Sequence, residues 1–165
     1  MIAIIDYGVG NLFSLKSSFA FINEEAVVTG DKKTIEKCDR IILPGVGAFA
    51  DAAMKLEASG LGEVVREQAE AGKPILGICL GMQLLFDKSY EYGGLGLIKG
   101  SVKPIADAVD KDLKIPHIGW NSLIFPKDRE KSPLYKYTGE GDFVYFVHSF
   151  YAADCDESVT ALTEY

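Results

Sequence analysis

Short apolar runs rich in β-branched residues recur along the first half of the chain, at Ile2–Ile5, 26–28, 41–43 and 75–78. None shows the apolar-polar alternation of a half-solvated strand, so each reads as a strand covered on both faces. Stretches of helical period separate them. Leu12, Leu15, Phe19 and Ile22 define one helical face after the first run, and Asp31 is placed to cap a short helix over 31–38. Residues 51–72 predict one or two helices interrupted near Ser59 and Gly60, with Leu61, Val64, Val65 and Ala69 facing inward, and 81–88 predict another short helix. Strands that alternate with helices in this way commit the first half to an α/β fold: an open, mainly parallel twisted sheet flanked by helices.

After Tyr92 the texture changes. Strand-like pieces at 95–105, 115–125, 142–151 and 158–164, joined by loops bearing Pro and Gly, add a β-rich part. No linker or repeat divides the 165 residues, which are expected to form one domain. Seventeen Lys and Arg against 24 Asp and Glu disfavour a nucleic-acid partner, which demands clustered positive charge. No apolar run approaches the ~20 residues of a membrane helix, so no membrane partner is expected. The N-terminal run reads as a strand, not a signal peptide. Cys38, Cys79 and Cys155 are an odd set, without CxxC spacing or a histidine within five residues. That argues against a metal site and for a reducing, cytoplasmic setting.

The strongest chemical signal is Gly77-Ile78-Cys79-Leu80-Gly81-Met82-Gln83, a strand running into G-x-C-x-G and then a helix. This is the form of a nucleophile elbow with cysteine as nucleophile. Small flanking residues let the two arms pass closely, and the helix start brings N–H groups near the sulfur, which favours thiolate. The Leu80 N–H is also placed to meet a developing oxyanion. A second signal, Pro44-Gly45-Val46-Gly47-Ala48-Phe49, follows another buried strand. Parallel strands present their C-terminal ends on one edge, so this loop and Cys79 should share a rim. His117 and His148 are the only candidate bases, and both lie in aromatic strand-like contexts where a packing role is commoner. Acidic neighbours of Cys38 and Cys155 make either a poor nucleophile. The turn Asp6-Tyr7-Gly8-Val9-Gly10-Asn11 does not complete a dinucleotide fingerprint.

The string 77–83 resembles the nucleophile motif of the class I (triad) glutamine amidotransferases, a flavodoxin-like fold. The strings 6–11, 44–49, 116–121 and 145–149 are similar to one branch, the glutaminase subunits of imidazole glycerol phosphate synthase in histidine biosynthesis. The resemblance spans Ile4 to Tyr165. It implies hydrolysis of L-glutamine to glutamate and ammonia through a Cys79 thioester, without a cofactor. It implies an oxyanion hole from Val46, Gly47 and Leu80, formed after a peptide in that loop flips, and glutamine contacts from Gly45, Gly47, Gln83, Ser149 and Phe150. Phe150 stands where many members have tyrosine. A surface facing a cyclase subunit with a (β/α)₈ barrel would include Asn11, His117, Trp120, Asn121, Tyr145 and His148, and ammonia would pass to that partner.

The triad histidine and glutamate of the family lie in a His-Pro-Glu motif that is not found in these 165 residues. The chain is therefore expected to be truncated at its C-terminus, and inactive by itself. The competing readings are a non-catalytic scaffold or regulatory protein, and another triad amidotransferase.

Overall fold

A computed structural model describes all residues, Met1–Tyr165. It comprises two compact units, Met1–Gly100 and Ser101–Tyr165.

The first unit runs β1 (Ile2–Ile5), α1 (Leu12–Phe21), β2 (Ala26–Thr29), α2 (Lys32–Lys37), β3 (Arg40–Leu43), α3 (Phe49–Ala58), α4 (Leu61–Glu70), β4 (Ile75–Gly77), α5 (Leu80–Gln83) and β5 (Phe86–Ser89). Four parallel strands form its sheet in the order β2-β1-β3-β4. In the register of β1 with its neighbours, Ile4 faces Val28 on one side and Ile42 on the other. The apolar runs are strands because both faces are covered: Ile4, Ile5, Ile41 and Leu43 are fully buried. Each such side chain contributes about 1.5–3 kcal/mol. Leu12, Leu15 and Phe19 of α1 pack half-buried on Ile2, Ile4 and Ile42. Asp31 caps α2, its carboxylate accepting from the Thr34 N–H. The helices α3 and α4 separate at Ser59 and Gly60, as expected, with Gly60 in a left-handed conformation. Leu61, Val64 and Val65 are buried, and Ala69 is half-buried.

Two expectations for this unit are corrected. Ile22 is not on the inner helical face; α1 ends at Phe21 and Ile22, its C-cap, is 60% exposed. The helix expected over 81–88 stops at Gln83, and Phe86–Ser89 is a strand. Backbone competition explains this. The Leu84, Leu85 and Phe86 carbonyls accept from the N–H groups of Leu95, of Leu97 and Ile98, and of Gly96.

In the second unit, β6 (Ile98–Pro104), which crosses the boundary, pairs antiparallel with β9 (Phe150–Ala153), while β7 (His117–Ser122) pairs antiparallel with β8 (Phe143–His148). The register sets Ile118, Trp120, Phe143, Tyr145 and Val147 on one face, all exposed. His117 and His148 sit opposite each other on the other face. The single strand expected over 142–151 is two, because β8 and β9 belong to different sheets. No strand forms over 158–164, where only Leu162 bridges to Ile124. The Arg129 guanidinium instead takes the Asp156, Glu157 and Val159 carbonyls.

Candidate active site

β4 ends at Gly77 and α5 begins at Leu80, so Ile78 and Cys79 alone turn the chain. The Ile78 N–H still donates to the Leu43 carbonyl of β3 (3.0 Å), and the Gly81 N–H closes back on Ile78 (2.9 Å). Cys79 is forced to φ 55°, ψ −120°. Such a backbone costs a non-glycine residue about 1–3 kcal/mol and persists only where its surroundings over-determine it. They do here. A Cβ on Gly77 would lie 2.4 Å from the Met82 Cα, and one on Gly81 would lie 1.9 Å from the Leu43 carbonyl oxygen. Cys79 itself is exposed. An exposed thiol on a strained strand-to-helix bend has the geometry of a nucleophile elbow.

The helix behind the sulfur has four residues, so it contributes individual N–H groups more than a summed dipole. Met82 and Gln83 donate back to the Cys79 carbonyl. Leu80, the first helical residue, holds its N–H where a helix supplies no acceptor. Gln83 is a buried polar side chain on the same helix.

The loop after β3 lies against this bend, as a shared sheet edge requires. Pro44 and Gly45 are buried, whereas Val46, Gly47 and Ala48 are exposed. The Gly45 backbone is wedged on the elbow: a Cβ there would meet the Gly81 nitrogen at 2.4 Å and the Leu80 carbonyl carbon at 2.8 Å. Gly47 has φ 93° and open space around it. The first unit thus gathers Cys79, Leu80, Gln83 and the base of the 44–47 loop. It also holds a residue the sequence reading passed over. Tyr7 is buried and its hydroxyl donates to the Pro44 carbonyl (2.7 Å). The bond joins positions 37 apart, which no local pattern could announce.

Asn11, also in the first unit, is exposed at the start of α1, its Oδ1 accepting from the Ser14 N–H. In the second unit both histidines are fully engaged. Asn121 Nδ2 donates to the Glu164 carbonyl (2.7 Å), which presents Oδ1 to accept from His117 Nε2 (2.8 Å). The Phe150 carbonyl accepts from His148 Nδ1 (2.8 Å), and His117 Nδ1 and His148 Nε2 face each other at 2.9 Å. All four ring nitrogens have partners in that unit, so neither ring is free as a base. Tyr165 and Phe146 stack on His117, which is only 2% exposed. His117 is therefore corrected from a surface contact to a buried support behind the exposed face. Trp120 (66% exposed) and Tyr145 (54%) lie on that face, their rings 5.4 Å apart. The Ser149 carbonyl accepts from the Ile105 N–H, and Phe150 begins β9.

Cys38 and Cys155 are buried. Burial, more than the acidic neighbours, pushes both thiols above the ordinary range. No group of His, Cys, Asp and Glu is arranged to hold a metal ion, and no helix is long and apolar enough to cross a membrane.

Compared with known proteins, the sequence matches the family model described as "Glutamine amidotransferase class-I" over residues 3–164. The chain belongs to the class I glutamine amidotransferases. Within that family it groups with the HisH subunits of imidazole glycerol phosphate synthase. It is 47% identical to the one from Caldanaerobacter subterraneus subsp. tengcongensis, with all of this chain and 80% of that protein covered. The HisH of Aquifex aeolicus is 49% identical, with 94% and 74% covered. Among solved structures, a glutamine amidotransferase superposes with a TM-score of 0.74 at 17% identity, covering 98% of this chain and 79% of that one. The glutaminase domain of Trypanosoma brucei CTPS with bound acivicin gives 0.60 at 17%, covering 92% and 67%. The amidotransferase fold is common to all of them.

Proposed function

We propose that this amidotransferase chain is the glutaminase subunit of an imidazole glycerol phosphate synthase and that Cys79 is its nucleophile. The observation that carries this reading is the exposed Cys79 thiol on its strained bend, with the 44–47 loop seated on Leu80 and Gly81. The sulfur attacks the side-chain carbonyl carbon of glutamine, and the carbonyl oxygen becomes an oxyanion. The Leu80 N–H and a peptide N–H of Val46 or Gly47 receive that charge; one such donor is typically worth ~10²–10³ in rate. Collapse breaks the C–N bond, ammonia leaves with a proton from a general acid, and water cleaves the thioester to glutamate.

Contacts to glutamine are assigned, within the first unit, to Gly45, Gly47 and Gln83. Asn11, Trp120 and Tyr145 are assigned to the partner surface, with Asn121 and His148 behind it on the face that carries His117. That partner is a cyclase subunit with a (β/α)₈ barrel, which takes the ammonia in the cytoplasm. Both units are read as one amidotransferase domain, since the family match runs through both. Because His117 and His148 are engaged, the 165 residues lack a base, and losing general-base assistance costs ~10²–10⁴ in rate. By themselves they should turn over glutamine negligibly. The competing reading, a non-catalytic scaffold, has no use for a reactive Cys79.

One experiment separates the two. A glutamine-shaped chloroketone should alkylate Cys79 of the chain, and glutamine should protect it. Absence of labelling, or labelling that glutamine does not slow, would favour the scaffold.

A further inference from the structure

The loop that carries the oxyanion donors has two mechanical parts. Its base, Pro44 and Gly45, is gripped from both sides. On one side Gly45 abuts Leu80 and Gly81 of the elbow. On the other, Tyr7 donates to the Pro44 carbonyl at 2.7 Å, and a Cβ on Gly10 would lie 2.8 Å from the Pro44 Cβ. Its tip is ungripped. Val46 is 55% exposed, and nothing lies within 4 Å of a Cβ built on Gly47. Beside the tip is an open cavity of about 430 Å³, walled by Gly8 and Gly10 on one side and by Asp51 and Lys55 of α3 on the other. A peptide plane at 46–47 has room to rotate, and rotation about a held base aims its N–H reproducibly.

We propose that Tyr7 is a positioning residue for the oxyanion loop: its hydroxyl fixes the Pro44 carbonyl, so that reorientation is confined to the peptides that carry the Val46 and Gly47 N–H groups. The inference rests on the glutaminase reading above and adds to it a residue that touches neither the thiol nor the loop tip. The phenol is suited to the task. Burial pushes its pKa up to about 12, so it remains a hydrogen-bond donor throughout the working pH range. Leaving a buried carbonyl without its donor loosens the base by the cost of one unmade bond. Loose positioning of donors then weakens oxyanion stabilisation selectively.

The test compares two probes of the same sulfur on the full chain. A glutamine-shaped chloroketone passes through a tetrahedral adduct and needs the oxyanion donors. Iodoacetamide loses iodide by direct displacement and does not. Tyr7→Phe should slow chloroketone labelling of Cys79 about three- to tenfold while leaving iodoacetamide labelling within about twofold. Gly10→Ala, which pushes directly on the Pro44 ring of the same base, should show the same split and serves if Tyr7→Phe fails to fold. Equal slowing with both probes, or no change with either, overturns the proposal. If glutamine gives the wild-type chain no protection, the glutaminase reading falls first and this inference with it.

Discussion

Gly81→Ala places a single methyl group where the elbow is tightest. Built on the present backbone, that carbon lies 1.9 Å from the Leu43 carbonyl oxygen, 2.7 Å from the Leu43 carbonyl carbon and 2.9 Å from the Pro44 carbonyl carbon. Real contacts of this kind stay beyond about 3 Å, so the helix start and the end of β3 must part by more than an ångström. All three atoms are backbone, and no flexible side chain can yield. Overpacking of this order costs ~1–3 kcal/mol. The better helix propensity of alanine offsets up to ~1 kcal/mol. A net loss of about 1–2 kcal/mol follows, or roughly 2–8 °C in melting temperature for a chain of this size. Gly62→Ala is the matched control on α4. There the new carbon would sit 3.4 Å from Leu95 Cδ2 and 3.6 Å from Leu56 Cγ, ordinary contact. It should stabilise the chain by about 0.5–1 kcal/mol. Urea denaturation followed by circular dichroism measures both. Two glycine-to-alanine changes within helices should therefore have opposite signs. A Gly81→Ala chain as stable as wild type, with unchanged thiol labelling at Cys79, would refute the steric account of the elbow.

Other outcomes follow from the same geometry. Cys79→Ser should abolish glutamine-protected labelling by the chloroketone, with buried Cys38 and Cys155 unlabelled until the chain unfolds, as peptide mass mapping would reveal. Tyr7 should impose an alkaline limit on stability. Its folded-state pKa is raised to about 12, above the unfolded value near 10. The stabilisation is full below pH 10 and is lost as pH rises toward 12, by at most about 2–3 kcal/mol. Chemical denaturation at stepped pH should find that loss in wild type and not in Tyr7→Phe. Trp120→Ala or Tyr145→Ala should weaken association with the partner subunit of the synthase by ~10-fold or more. Calorimetric titration reads this directly, and because both side chains are exposed, an accompanying melting-temperature drop above a few degrees would point to a structural role instead.

The sheet and the elbow were legible because each is written locally. A strand buried on both faces must be apolar throughout, and a strand-to-helix bend this tight must carry small residues at 77 and 81. The extent of α5 was not legible. Leu84, Leu85 and Phe86 are apolar enough for a helix, but their carbonyls accept from residues near 95–98, a competition invisible in any short window. The tail over 158–164 has strand composition, yet Arg129 takes three of the neighbouring carbonyls. His117 was assigned to the surface because its string matched a partner-facing one. Strand parity settles otherwise: Ile118 and Trp120 point outward, so His117 cannot. Tyr7 was missed because a buried hydroxyl has no sequence signature until its acceptor is known.

The positive φ at Cys79 sets the direction in which mutation would drift if only heat resistance were selected. Glycine would relax that backbone, so the hardiest variant at this position has no sulfur at all. A thermostability screen without a chemical readout would enrich well-folded, inert molecules, and the site most worth keeping would be among the first to go.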